Sequence, residues 1–124
     1  MAKKIIFTSQ APAPIGPYSQ AVFIQDTLFV SGQIAVEQSI SGDIVAETHQ
    51  VLTYVGHILA EAGLTFSDVV KSSIFLKNMD DFGQVNEVYG QYFQENPPAR
   101  ETVQVAKLPK DVNVEISVIA VKSN

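Results

Sequence analysis

Residues 45–62 hold the feature that most constrains the fold. Val51, Leu52, Val55, Ile58, Leu59 and Ala62 recur on one side at helical spacing, and Gly63 stands where the helix C-terminus wants a left-handed residue. A helix with one apolar side must lay that side against something. The rest of the chain offers strands: 3–8, 20–25, 27–34, 68–77, 100–107 and 112–121, with Asp26 near a tight turn. Between them, 11–20 reads as a loop stiffened by Pro12, Pro14 and Pro17, and Ser39–Asp43 as a polar loop. A second helix is capped by Asp80 or Asp81. Its apolar side includes Phe82, Val85, Val88, Tyr89 and Phe93, and Asn96-Pro97-Pro98 stops it. The order β-β-β-α-β-α-β-β predicts an α+β fold over residues 1–124 as a single domain. It is a six-stranded mixed sheet with two helices packed on one face.

Strand alternation says what each sheet face carries. In 100–106, Val103 and Val105 point one way while Arg100, Thr102 and Gln104 point the other. In 112–121, Val114, Ile116 and Val118 share one face, and Asn113, Glu115 and Ser117 the opposite one. Helices can cover one sheet face. The other interleaves polar residues with apolar ones such as Ile119 and Val121, the composition of a subunit interface. A homo-oligomer with a pocket at its seam is expected.

Charge narrows the function classes. The net charge is −5, with seven lysines and one arginine scattered along the chain. Nucleic acid needs a basic footprint for its phosphates, and an anionic membrane needs a basic face, so neither is an expected partner. The chain has no cysteine, which removes thiolate nucleophiles, disulfides and cysteine-based zinc sites. Three apolar residues after Lys3-Lys4 are too few for a signal-peptide core, and no apolar run approaches the ~18 residues of a membrane span. A soluble cytoplasmic protein is expected.

The candidate chemistry centres on PPARETVQVAKLP, 97–109, which contains the lone arginine, Arg100. A guanidinium grips a carboxylate with two parallel hydrogen bonds, which an ammonium cannot do. Glu115 lies on the next strand in sequence. If the two strands pair as a hairpin through LPKD, both side chains can emerge on one face, either as a site or as a structural ion pair. His49 and His57 are eight residues apart on the long helix, ~12 Å, too far to share a metal, and both are expected to face solvent. No GxSxG elbow, HExxH pair or phosphate loop occurs, so neither a metal nor a cofactor is expected. Gly32 in Ser31-Gly32-Gln33 marks a bulge or a close approach within a strand. Tyr18 is either a plug over the core or a pocket residue, and Asn86 either a helix flank or a site residue.

Several stretches together resemble one family. APIGPYSQAV (13–22), LFVSGQI (28–34), ILAEAGLTFSDVVK (58–71), FLKNMDDFGQVNEVYGQYF (75–93) and PPARETVQVAKLPKDVNVEISVIAV (97–121) are similar, in the same order, to the RidA (YjgF) family. The resemblance implies a chorismate-mutase-like α+β fold and a homotrimer with clefts between subunits. It implies hydrolysis of 2-imino acids, or their enamine tautomers, to 2-keto acids and ammonia without a cofactor. A functional link to pyridoxal-phosphate-dependent dehydratases, which release such imines, comes with it.

The same resemblance assigns roles. Arg100 would hold the substrate carboxylate, with Tyr18, Asn86 and Gly32 in the substrate pocket. Glu115 would help to position or activate water. Thr102 stands where the family often has cysteine, so only backbone roles carry over. Glu101 replaces a common Ser or Thr, and alternation points it away from Arg100. Glu47 and Tyr54 stand where Gln and Asn are common. A small-acid-binding regulator or chaperone-like protein on the same trimeric scaffold is the alternative function.

Overall fold

The computed structural model describes residues 2–123. Its centre is one sheet of β1 (Lys4–Ile6), β2 (Ala21–Ile24), β3 (Thr27–Gln33), β4 (Val69–Leu76), β5 (Ala99–Gln104) and β6 (Val114–Val121). Their spatial order is β1-β2-β3-β6-β4-β5. Neighbours are antiparallel except β4 and β5, which run parallel. The α-helices are α1 (Val36–Ile40), α2 (Ile44–Glu61) and α3 (Phe82–Tyr92). Among the described residues no helix is long and apolar enough to cross a membrane.

The long helix forms as its pattern requires. Asp43 accepts a hydrogen bond from the Ala46 amide at 3.1 Å and caps the start of α2. At the other end Gly63 takes φ +78°, while Leu64 donates to Leu59 O and Gly63 to Ala60 O, each at 2.9 Å. That pair of bonds closes the helix. The stripe Ile44, Val51, Leu52, Val55, Ile58 and Leu59 is buried, as are the inward strand residues Leu28, Val30, Ile74, Val114, Ile116 and Val118. Each large side chain in this layer contributes roughly 1.5–3 kcal/mol by leaving water. Packing of this size holds α2 more firmly than its own propensity could.

Helix α3 is the crossover from β4 to β5, because parallel neighbours cannot be joined by a tight turn. Its cap differs from expectation. Asp81 occupies the N-cap position without a side-chain bond. Instead Asn78 accepts from the Asp80 amide at 2.9 Å and Gln104 accepts from the Met79 amide at 2.7 Å, so a 3-10 turn over 79–81 leads into α3. The polar loop expected at Ser39–Asp43 is shortened by α1, which ends at Ile40.

The larger correction concerns β5 and β6, which do not form a hairpin. Strand β4 lies between them, parallel to one and antiparallel to the other. The LPKD segment is not a hairpin turn. It is a 3-10 turn over 109–111 in which Lys110 and Asp111 both take φ +56°, flanked by the buried Leu108 and Val112. Val105 donates to Leu76 O at 2.9 Å, and Lys77 donates to Asn113 O at 3.0 Å. The connection therefore wraps the end of β4.

Candidate functional site

Register and alternation put the expected site residues in two separate places. Arg100 lies on β5, the edge strand, with its side chain turned toward α3. Its Nη1 donates to Asn86 Oδ1 at 2.8 Å. Its Cζ lies 4.9 Å from the Tyr89 ring centroid and 5.7 Å from that of Phe82. These aromatic faces support the guanidinium and attract its charge. Beneath them, the Tyr89 hydroxyl donates to Ser72 Oγ at 2.9 Å, and Ser72 is the β4 residue in register with Arg100. Burial raises the Tyr89 pKa, against the smaller opposing effects of Ser72 and Arg100. The ring therefore stays neutral.

The Arg100 guanidinium carries five N–H donors, and the described hydrogen bond uses one. Among the described residues no carboxylate pairs with it, since the ion pairs are Lys71–Glu101 and Lys77–Asp111, each at 3.1 Å. It borders an open groove with Asn86, Tyr89, Gly90, Pro97 and Pro98. Thr102 follows two residues along the same side of β5, and its Oγ1 is buried with no hydrogen-bond partner. Glu101 points to the other face, where it accepts from Ser73 at 2.8 Å and pairs with Lys71.

Glu115 sits on the helix-free sheet face. Ser72 is in register with both Arg100 and Val118, so Glu115 is three residues along β6 and two strands over. At ~3.3 Å per residue and ~4.8 Å per strand, the two Cα atoms lie about 14 Å apart. Their side chains leave opposite faces of the sheet. The Arg100–Glu115 ion pair does not form, and one chain does not bring the two residues together.

The second cluster gathers at a bulge. Between Val30 and Gln33, β3 advances three residues while β6 advances two, from Val118 to Ile116. Ser31 and Gly32 supply the extra residue. Ser31 ties the bulge to the proline loop, its hydroxyl donating to Ser19 O at 2.6 Å and its amide to Gln20 O at 2.9 Å. The Glu115 carboxylate lies directly on Gly32. A Cβ there would overlap its oxygen and stand 2.7 Å from its Cδ, so alanine would displace the carboxylate. Burial pushes the Glu115 carboxyl above its ordinary pKa.

Gly32 also lines a cavity of about 310 Å³ with Ile15, Tyr18, Val36, Tyr54 and Lys110. Tyr18 is half exposed at this wall, so it is no plug over the core. Sequence reasoning missed the scaffolding. Gln20, almost fully buried, accepts from the Thr8 amide at 2.8 Å and donates to Pro12 O at 2.9 Å, which shapes the loop carrying Tyr18. Tyr89, expected on the apolar side of its helix, instead presents its ring to Arg100 and its hydroxyl to Ser72. His49 is not a plain solvent residue, since its Nδ1 lies 2.8 Å from the Tyr92 hydroxyl. His57 is half-buried and lines a separate groove with Phe7 and Glu61. Among the described residues no three His, Asp or Glu side chains gather as a metal site.

The family model described as endoribonuclease L-PSP matches residues 8–122. A RutC family protein of Pyrococcus abyssi is 48% identical over 98% of this chain and 99% of its own. The goat (Capra hircus) protein named 2-iminobutanoate/2-iminopropanoate deaminase is 48% identical over 98% of this chain and 92% of its own. Among solved structures, Escherichia coli TdcF with bound serine superposes with a TM-score of 0.90 at 44% identity, covering 97% of this chain and 99% of that one.

Proposed function

The chain belongs to the RidA (YjgF) family, whose model is described as endoribonuclease L-PSP, and from that membership we propose that it is an imine deaminase. It converts 2-imino acids such as 2-iminobutanoate, and their enamine tautomers, to 2-keto acids and ammonia. The single observation that carries this reading is Arg100. It is a guanidinium held flat by Asn86, Tyr89 and Phe82, unpaired by any described carboxylate and open to a groove. Such a group grips a small carboxylate with two hydrogen bonds. The bound serine in the TdcF structure and the deaminase name of the goat relative both support a small amino- or imino-acid ligand.

The chemistry then asks for a water and a proton carrier. The protonated imine carbon is attacked by water, whose proton passes to Glu115. The carbinolamine formed takes that proton on nitrogen. As the C–N bond breaks, its hydroxyl proton passes back to Glu115, leaving the ketone and ammonia, which then takes up the proton. A carboxyl raised toward neutrality suits both steps, because a relay works best with a pKa near the working pH. Tyr18 and Gly32 wall the cavity beside it, and Thr102, with its buried, unpartnered hydroxyl, follows Arg100 by two residues on the same side of β5. These steps draw on no metal or cofactor.

Arg100 and Glu115 are separated within one chain, so the complete site needs two. A homotrimer brings the Arg100 groove of one subunit against the Gly32–Glu115 bulge of the next. The helix-free face supplies apolar surface for such packing, with Phe29 at 48% and Val103 at 42% exposure. A dehydratase acting on threonine or serine, which releases imines of this size, is the functional partner, and the cytoplasm is the compartment. An RNA substrate, which the family model's description suggests, finds no basic track on a chain of net charge −5 with one arginine.

The test is a coupled assay in which a threonine dehydratase generates 2-iminobutanoate. Adding the protein should accelerate release of 2-ketobutyrate and ammonia well above spontaneous hydrolysis. Saturable binding of 2-keto acids without acceleration would replace the enzyme reading with a small-acid sensor.

A further inference from the structure

Glu47 is a carboxylate with no exposure at all, on the apolar stripe of α2 between Ile44 and Val51. A buried charge normally has a cation beside it. Glu47 has none among the described ion pairs. Three N–H donors converge on it instead. Its Oε2 accepts from the Asn113 amide at 2.8 Å and the Val114 amide at 3.2 Å, and its Oε1 accepts from Asn113 Nδ2 at 2.8 Å. All three come from the two residues that precede Glu115.

We propose that Glu47 is the positioning residue for Glu115. It holds the start of β6 from the helix side, while Lys77 donates to Asn113 O at 3.0 Å from the end of β4. The next residue is Glu115, whose carboxylate must fall on Gly32 at the β3 bulge. A one-residue slip of β6 would send Glu115 to the helix face, and a smaller shift would slide the carboxylate off Gly32. In register, Glu115 faces Phe75 on β4 and the Gly32 bulge on β3. Its placement therefore depends on where β6 begins, and Glu47 sets that point.

This inference rests on Glu115 acting in the deaminase reading, and the test keeps the two apart. The Glu115 carboxyl is followed by carbon-13 NMR titration, assigned by its loss in Glu115→Gln, and kcat and KM are measured in the coupled imine assay. In Glu47→Ala the Glu115 midpoint should move down toward the ordinary glutamate value. kcat should fall roughly tenfold with KM within about twofold, because displacement of a reacting group costs rate more than binding. Glu47→Gln keeps an acceptor at this position and should restore most of both. If Glu47→Ala does not fold, Asn113→Ala, which removes the contact to Oε1 and a long 3.4 Å bond to Ser39 O while leaving both amide bonds to Oε2, should shift the midpoint in the same direction. An unchanged Glu115 titration in the folded variants overturns the proposal, as does a folded Glu47→Gln that restores neither quantity. A wild-type protein inactive on imines would end the deaminase reading, while the titration would still decide the role of Glu47.

Discussion

Replacing Arg100 by alanine should lower kcat/KM for 2-iminobutanoate by roughly three orders of magnitude, about 4 kcal/mol. Among the described residues no other cation lines the Arg100 groove. Arg100 is the only arginine, and the lysines given an ion-pair partner, Lys71 and Lys77, are bound to Glu101 and Asp111. Much of the loss should fall on KM, because the carboxylate is held in ground state and transition state alike. Arg100→Lys keeps the charge but loses the planar fork and the stacking on Tyr89, so it should rank between alanine and wild type. The partial exposure of Arg100 makes the alanine variant an exchange that the fold should tolerate, which circular dichroism checks. Full activity in a folded Arg100→Ala protein would remove the guanidinium from the mechanism.

Glu115→Gln should show the opposite split. An amide cannot accept the proton of the attacking water, so kcat should fall by ~10²–10⁴-fold while KM stays close to wild type. Wild-type activity should rise with pH along an acid limb whose midpoint lies above the ordinary glutamate value, because only the ionised carboxylate accepts the proton. The glutamine variant should lose that limb. Stability should move the other way. The folded-state pKa is raised, so the folded chain binds this proton more tightly than the unfolded one does. The stability present below the unfolded pKa is lost as pH rises through the folded pKa. Glu115→Gln removes that cost and should melt higher than wild type at neutral pH. A variant that is slower and yet more stable is what a group buried for function predicts. A Glu115→Gln protein with undiminished kcat would return Glu115 to a structural role.

The sequence made some of this legible and not the rest, for physical reasons. The long helix, its glycine stop and the bulge at Ser31-Gly32 are local, so periodicity and one glycine reveal them. The pairing of β5 with β4 is not local. Alternation sorts the residues of each strand into two faces, but only sheet order says which face of one matches which face of another. With β4 between them, Arg100 and Glu115 fall on opposite faces, where a hairpin would have joined them. The cap on α3 was missed because Gln104 reaches it from 25 residues away. Glu47 is visible as a charged residue at i−4 from Val51 beside an apolar stripe, but the β6 residues that bond it lie 66 and 67 positions away, so its role is not local. The family resemblance supplied roles for Arg100 and Glu115 that spacing alone left open between a site and an ion pair.

The central claim is that a working site takes Arg100 from one subunit and Glu115 from another. Subunit mixing tests it most directly. Arg100→Ala and Glu115→Gln proteins, each inactive alone, are co-expressed or unfolded and refolded together in equal amounts. If the halves come from neighbouring subunits, random assembly leaves both residues intact at about one site in four, and about one quarter of wild-type activity should return. If each chain carried its own complete site, every site in the mixture would lack one residue. Activity would then stay at the level of the two variants, and the account would be wrong.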